Sequence, residues 1–418
     1  MGAKRTRRYN KSFNVQALFI FLTLIAIITV VILGINNGTQ RLLNQNQISQ
    51  NNNSSNAQEV IPEDKTATIV AIGDTLCHSQ VFKDAYDIET GIYDFSPLFK
   101  DVAKYFENKT VAVGNLEATL AGPSHPYSGY PTFNTPEHLA VDLKELGLDI
   151  MTTANNHSLD IGYSGLVSSL NYLDEAGLEH TGSARSPEEQ DKILFKDLNG
   201  IKTAFLAFTY GTNGIPRPAG KEYCVNLIDK DFIKNKIDQA KNEGAEAICV
   251  SMHWGVEYQT KQNSEQEDLA EFLIKNDVNV ILGCHPHVLQ PLQMKEVTMD
   301  DGSKKEGVVI YSMGNFFSAQ TFPNTRDTLI LNIKIRKDGK NNRISIDHAK
   351  YAPVYDYDNG TNAKDRYELL DLNGIIESYE NQETTWSKKM YDLAVTEKAR
   401  IEKIVGPNII NREDDEAE

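Results

Sequence analysis

The chain has 418 residues, 40% hydrophobic and 24% charged, the composition of a globular protein with room for one large domain or two ordinary ones. Its formal charge is −16, yet Lys4, Arg5, Arg7, Arg8 and Lys11 open the chain, which leaves 37 basic against 58 acidic residues, or −21, beyond residue 11. So acidic a body lacks the basic face that a nucleic-acid backbone requires, which excludes nucleic acid as a partner; the acidity itself confers solubility.

After the basic segment 1–16 comes "ALFIFLTLIAIITVVILG", Ala17 to Gly34, with no charged residue. As a helix it would rise about 27 Å, close to the hydrocarbon thickness of a bilayer. No small-x-small cleavage site follows, because Asn36, Asn37, Gln40 and Arg41 come next. The expectation is an uncleaved transmembrane signal anchor over 17–34, with the N-terminus cytoplasmic and the remainder extracytoplasmic by the positive-inside rule. Residues 35–64, with "NQNQISQNNNSSNAQ", are too polar to form a core and read as a flexible linker. Four cysteines, Cys77, Cys224, Cys249 and Cys284, contain no CxxC pair; a disulfide is permitted outside the membrane, and Cys249 inside "AICVSM" reads as a buried thiol.

From Ala67 the pattern alternates. "ATIVAIG" reads as a strand, "SPLFKDVAKYFEN" as a helix, "VAVGN" as a strand and "PEHLAVDLKELG" as a helix with proline at its start and glycine at its stop. "LDIMTTA" is a strand and "GLVSSLNYLDEAG" a helix. The strands "TAFLAF", "EAICVSM", "VNVILG" and "GVVIYSM" follow, with helices near 230–243 and 264–276. "TLILNIKI" and "RISIDHAKYAPVY" come without intervening helices and read as antiparallel additions, and 363–405 as one or two polar helices. This alternation predicts an α/β sandwich with a mixed sheet or two facing sheets. The domain reading is 65–355 for the sandwich and 356–418 for a helical extension with an acidic tail.

Ligand-type side chains cluster just past the strands. Asp74 follows "TIVAIG", Asn115 and Glu117 follow "VAVG", and Asn155, Asn156 and His157 follow "IMTTA". His253 follows "ICVSM", His285 and His287 follow "VNVILG", and Gly314 and Asn315 follow "VVIYSM". In open α/β sheets, sites form beyond the carboxyl ends of strands, so these loops should converge. Singly, a GD or GN is a turn signal. The His-x-His pair carries more, since alternate side chains of extended backbone point the same way and Pro286 should hold His285 extended. Carboxylates, an amide and imidazoles suit Mn²⁺, Zn²⁺ or Fe²⁺. Two such ions could activate water at a tetrahedral centre while a further imidazole protonates the leaving group.

In order, "GD", "NLE", "ANNHSLD", "SMHWGVEY", "GCHPHVLQP" and "YSMGNF", with "TYGTNGIP" between, resemble the CapA-type poly-γ-glutamate capsule-biosynthesis proteins over roughly residues 66–335. The resemblance implies a calcineurin-like metallophosphoesterase fold, a four-layer αββα sandwich with the site between the sheet ends. It implies Asp74, Glu117, Asn156, His253, His285 and His287 as ligands of divalent metal, Mn²⁺ or Zn²⁺ foremost. His157 takes the place of the histidine that meets the leaving group, and Asp160 either orients that imidazole or caps the following helix. The sequence departs from the phosphoesterase pattern at Leu76, which stands where a histidine is usual; His78, two residues on, could substitute or be a loop residue, and Asn115 is a further candidate ligand. Glu117 replaces the usual bridging aspartate, and Ser158 a glutamate. The loop 122–136 could line a substrate cleft through Tyr127, Tyr130 and Phe133, or be ordinary surface. Three functions are consistent with this: a membrane-anchored, metal-dependent hydrolase-like protein acting on poly-γ-glutamate or a related anionic polymer; a non-catalytic scaffold of the capsule polymerase and export subunits; and a cell-surface metallophosphodiesterase.

Overall fold

The computed structural model describes residues 62–361, 365–383 and 386–411, together with residues 23, 26–31, 34 and 39. The chain divides into two units, Met1–Pro62 and Glu63–Glu418. The described residues of the first unit between 23 and 39 are helical. Most of the expected anchor lies outside the described residues, among which no helix is long and apolar enough to cross a membrane.

The second unit begins with four parallel strands, β1 (Lys65–Thr75), β2 (Val111–Leu116), β3 (Ile150–Thr152) and β4 (Glu179–Thr181). Helices α1 (His138–Leu146) and α2 (Gly162–Ala176) connect them, and each stops at a glycine, Gly147 or Gly177, in the left-handed conformation. The chain then builds a second sheet from β5 (Leu194–Leu198), β6 (Ile201–Thr209), β7 (Ala247–His253), β8 (Val280–Cys284), β9 (Leu292–Thr298) and β10 (Lys304–Ile310). Its order is β5-β6-β7-β8-β10-β9, with β6, β7, β8 and β10 parallel. Helices α3 (Lys230–Asn242) and α4 (Ser264–Lys275) make the crossovers, started by Asp229 and by a capping box of Asn263 with Gln266.

The chain returns to the first sheet with β11 (Asn315–Phe317), β12 (Asp327–Lys337), β13 (Ile344–Asp358), β14 (Tyr367–Asp371) and β15 (Ile409–Ile410). The order there is β14-β13-β12-β1-β2-β3-β4, β12 being antiparallel to β1 as expected. Helices α5 (Leu372–Glu380) and α6 (Lys388–Val405) follow β14.

Three apolar clusters define the layers. Ile69, Val113, Ile333, Phe205, Cys249 and Leu282 join the two sheets face to face. Ile72, Ala112 and Met151 pack outward against Leu143, Leu166 and Leu170 of α1 and α2. Val250 and Ile281 pack against Ile237 of α3 and Leu273 of α4. The architecture is therefore helix, sheet, sheet, helix.

Two elements differ from their patterns. "SPLFKDVAKYFEN" forms two 3-10 turns, Ser96–Phe99 and Ala103–Phe106, rather than one helix. Its apolar residues are buried all the same, with Phe99 against Phe316 and Phe317 at 5.9 and 5.8 Å, so packing and not helical hydrogen bonding sets this backbone. Residues 367–371 form strand β14 on the edge of β13, because the β13 ladder offers them partners that an isolated polar helix lacks. All four cysteines are free and buried, Cys249 among them.

Asp356 is buried in the first sheet, with Oδ2 accepting the Ser318 amide at 2.8 Å and Oδ1 without a partner. Burial raises its carboxyl to about 7. The folded chain thus holds a proton that the unfolded chain releases near pH 4, and stability should fall as pH rises from about 4 to 7. Asp356→Asn should remove this dependence and gain up to about 4 kcal/mol on wild type at pH 8 relative to pH 4, as read from urea melts at the two pH values.

Candidate metal centre

The parallel strands of both sheets end on one side of the sandwich, and two glycines let the backbone close there. A Cβ on Gly73 would sit 2.0 Å from the Gly314 carbonyl oxygen, and one on Gly283 would sit 2.0 Å from that of Tyr311. The adjoining Asp74 is thereby held beside Asn315 at the start of β11, where the Asp74 amide donates to Gly314 O at 2.9 Å.

Five predicted residues, Asp74, Asn156, His253, His285 and His287, meet around a sixth, Glu117. Ligand atoms of Glu117, His253 and His285 lie within 4.8 Å of one another, as do those of Asp74, Glu117 and His287. Glu117 belongs to both groups, its Oε1 lying 3.5 Å from His253 Nε2 and 3.8 Å from His287 Nε2. Asn156 joins the first group, its Oδ1 lying 2.7 Å from His253 Nε2. All six are buried.

The electrostatics fit a cation. Both Glu117 oxygens are buried without a hydrogen-bond partner. Burial, and then the Asp74 carboxylate, push the Glu117 carboxyl well above its ordinary range. Burial pulls Asp74 the same way, but its contacts with His287 and His253 and the hydrogen bond from Asn115 outweigh it and hold Asp74 below the usual carboxylate range. Burial and neighbouring imidazoles keep His253 well below its ordinary value and lower His285 to about 3, so both stay neutral, the form that coordinates metal. A divalent ion would give the orphaned carboxylate its missing partner.

The histidine pair departs from expectation. His285 and His287 have φ of +100° and +58°, not extended values, so period-two alternation does not aim them. The His285 amide donates to Asp74 Oδ2 at 3.1 Å, which fixes this turn. Left-handed backbone at non-glycine residues costs on the order of 1–3 kcal/mol each and persists where the surroundings impose it.

Asn315 sets the orientation of His287. Its Nδ2 has three acceptors, Ser318 Oγ, Gln320 Oε1 and Thr325 O, at 3.0 to 3.2 Å, so its Oδ1 must be the atom facing His287 Nδ1 at 3.0 Å. The Nδ1 proton is thereby fixed, and Nε2 turns toward Glu117 Oε1 at 3.8 Å.

His157 stands beside this cluster with Nδ1 2.7 Å from Asp160 Oδ2, which also accepts the Phe133 amide at 2.7 Å. Asp160 therefore orients the imidazole; α2 has Ile161 at its cap position and no side-chain cap. Asn115 donates to Asp74 Oδ1 at 2.7 Å while its own oxygen accepts from Thr152, which makes it a support behind a ligand. His78 is not brought into the cluster: its Nδ1 lies 3.3 Å from Leu76 O and its ring meets the edge of Phe133. Leu76 points into the core, so the expected histidine position supplies no ligand.

The loop 122–136 is only partly a wall. Phe133 is buried edge-on to His157 at 4.7 Å, and Tyr130 is 76% exposed near Tyr258. Tyr127 instead bonds Glu137 at 2.7 Å and packs on Tyr93, away from the cluster, because that aromatic patch satisfies both its ring and its hydroxyl. The sequence reading passed over Tyr210, whose ring lies 4.5 Å from that of His285, and Asn213, which accepts from Asn156 at 3.2 Å. It also passed over Glu257, grouped with His285 and His287, and Tyr258, which packs on Phe322 at 4.6 Å. Tyr210 and Asn213 lie in "TYGTNGIP" and Glu257 and Tyr258 in "HWGVEY", so the segments were marked although the side chains were not.

The fold and site define a two-sheet α/β protein with a carboxylate–imidazole cluster suited to divalent metal. Residues 68–320 match the profile of the bacterial capsule synthesis protein PGA_cap, and the chain belongs to that family. The capsule biosynthesis protein CapA of Bacillus anthracis is 28% identical over 264 residues, 59% of this chain and 60% of that protein. The PGA biosynthesis protein CapA of Bacillus subtilis is 28% identical over 271 residues, covering 62% and 67%. The match thus spans about three fifths of the Bacillus anthracis relative's length. Among solved structures, the calcineurin-like phosphoesterase YfkN from Bacillus subtilis aligns at 14% identity and a TM-score of 0.41, over 82% of this chain and 99% of that one. The NAD nucleotidase of Haemophilus influenzae aligns at 13% and 0.43, over 82% and 61%. These likenesses are too slight to bear on the argument.

Asn315→Leu should leave His287 without its fixed Nδ1 partner and destabilise the fold by about 1–3 kcal/mol. Long-range ¹⁵N spectra of the imidazoles should show His287 leaving its single tautomer; an unchanged His287 signal would contradict the assignment.

Proposed function

We propose that this protein is a single-pass membrane protein whose extracytoplasmic domain carries a metallophosphoesterase-like, metal-dependent hydrolytic centre working in capsule biosynthesis. Poly-γ-glutamate or a related anionic polymer is its substrate, and the capsule polymerase and export subunits are its partners. The observation that carries the reading is Glu117, whose two buried, unpartnered oxygens stand between two sets of ligand atoms. The names of the Bacillus relatives support the capsule role, and Ala17 to Gly34 supports the anchor.

Asp74, Glu117, Asn156, His253, His285 and His287 would hold the metal, Mn²⁺ or Zn²⁺. When bound, it supplies Lewis acidity and lowers the pKa of water. The rest falls to the protein. Asp160 holds the Nδ1 proton of His157, so Nε2 is the nitrogen that can pass a proton to a leaving group. Phe133 supports that ring from its edge. Tyr210, Tyr258 and Phe322, each more than a third exposed, border the mouth and shield it from bulk water.

A second reading, a scaffold without turnover, is favoured by Leu76, a core residue where a further imidazole is usual. Elemental analysis tests the first. The purified full-length protein should retain Mn²⁺ or Zn²⁺ in stoichiometric amount, and Glu117→Gln and His285→Ala should lose it; metal-free wild type overturns the proposal. His157→Ala should keep the metal but lower turnover of p-nitrophenyl phosphate esters roughly 10²-fold or more. Capsule that persists in His157→Ala and His285→Ala strains would instead support the scaffold.

A further inference from the structure

A cavity of about 210 Å³ lies where β4 of the first sheet meets the β5–β6 edge of the second. Ile193, Leu194 and Leu206 give it an apolar side, while Ser183, Asn226 and Lys236 give it a polar one. Lys236 is only 5% exposed. Its ammonium donates to Gln239 Oε1 at 3.1 Å, and its carboxylate partner, Asp191 at 3.6 Å, is 82% exposed and therefore largely screened by water. The Phe232 ring, 6.0 Å away, and the exposed Glu243 add little to this, so the buried ammonium can still take an anion.

A second, independent deficit lines the same space. His180 turns Nε2 toward Asp174 at 3.2 Å and Arg185 at 3.5 Å, while its Nδ1 is buried with no hydrogen-bond partner. The acid that lines the cavity, Glu189, is clasped by Arg185 through Nε at 3.0 Å and the terminal nitrogen at 2.5 Å, so it does not neutralise Lys236. The space equals that of about seven water molecules, room for an acid of amino-acid size and not for a polymer segment.

We propose that this cavity is a binding site for a small organic carboxylate, with Lys236 taking the carboxylate and Ile193 and Leu206 holding the aliphatic stem. Ser183 and Asn226 meet the ligand's polar remainder. The site is separate from the metal centre, but Ser183 is bonded through its amide and hydroxyl to Thr153, whose carbonyl accepts from Ser158 beside His157. Occupancy would therefore be felt in the loop that carries His157.

The test is thermal denaturation of the full-length protein in detergent after metal removal, with succinate, glutamate, phosphate or leucinamide added. Succinate or glutamate should raise the melting temperature saturably, and leucinamide, a stem without a carboxylate, should not. Lys236→Met should melt no lower than wild type, since it removes a buried charge, yet weaken the carboxylate effect at least tenfold. Hydrogen exchange at the Ser183 amide should slow only when carboxylate and Lys236 are both present. His285→Ala should bind the acid as wild type does, which separates this site from the metal centre. No shift with either acid, an equal shift with phosphate, or a full shift in Lys236→Met would each overturn the assignment.

Discussion

Two carboxylates, Asp74 and Glu117, are buried side by side, and the rest of the site is arranged around that cost. Like charges so placed in a low-dielectric interior cannot both ionise unless positive charge is supplied. Asp74 receives N–H donors from the Asn115 side chain and the His285 backbone, whereas Glu117 receives no hydrogen bond at all. The asymmetry places the vacancy in the electrostatics at Glu117. Burial keeps His253 and His285 neutral, and a protonated ring at either place would repel the cation that the carboxylates attract.

The two-sheet sandwich serves this arrangement by bringing the ends of β1, β2, β3, β7 and β8 to one side. Neither sheet alone could make the site, since Asp74, Glu117 and Asn156 come from the first and His253, His285 and His287 from the second. The outer helices hold the sheets through apolar packing and contribute no ligand. Supporting residues such as Asn115, Asp160 and Asn315 are themselves held by further hydrogen bonds, from Thr152 to Asn115, from the Phe133 amide to Asp160 and from Asn315 to Ser318, Gln320 and Thr325, which gives their partners orientation as well as position.

Much of this was legible in the sequence because strand ends are punctuated by residues that a core would reject. Asp74, Glu117 and His253 each interrupt an apolar run, and chain order was enough to predict their convergence. What escaped was local geometry. The aim of His285 and His287 depends on left-handed backbone imposed by Asp74 from over two hundred residues away, which no dipeptide rule contains. The two 3-10 turns escaped because Leu98, Phe99, Val102 and Phe106 have spacing that helix and turn share. Tyr127 and Tyr130 were indistinguishable as letters; only the fold sends one into an aromatic cluster and leaves the other at the surface.

The contacts at Gly73 and Gly283 have a mechanical consequence. Gly73 of β1 presses on Gly314 and Gly283 of β8 on Tyr311, so the segment 311–314, which carries the chain from the second sheet into the first, is clamped against a strand of each. The spacing of the ligands is then a property of the frame and not of whatever enters it. Any accommodation of differently shaped guests must come from the parts that are not clamped, the exposed rings of Tyr130, Tyr210 and Phe322. A protein built this way can change its guest by exchanging rim residues while its centre stays as it is.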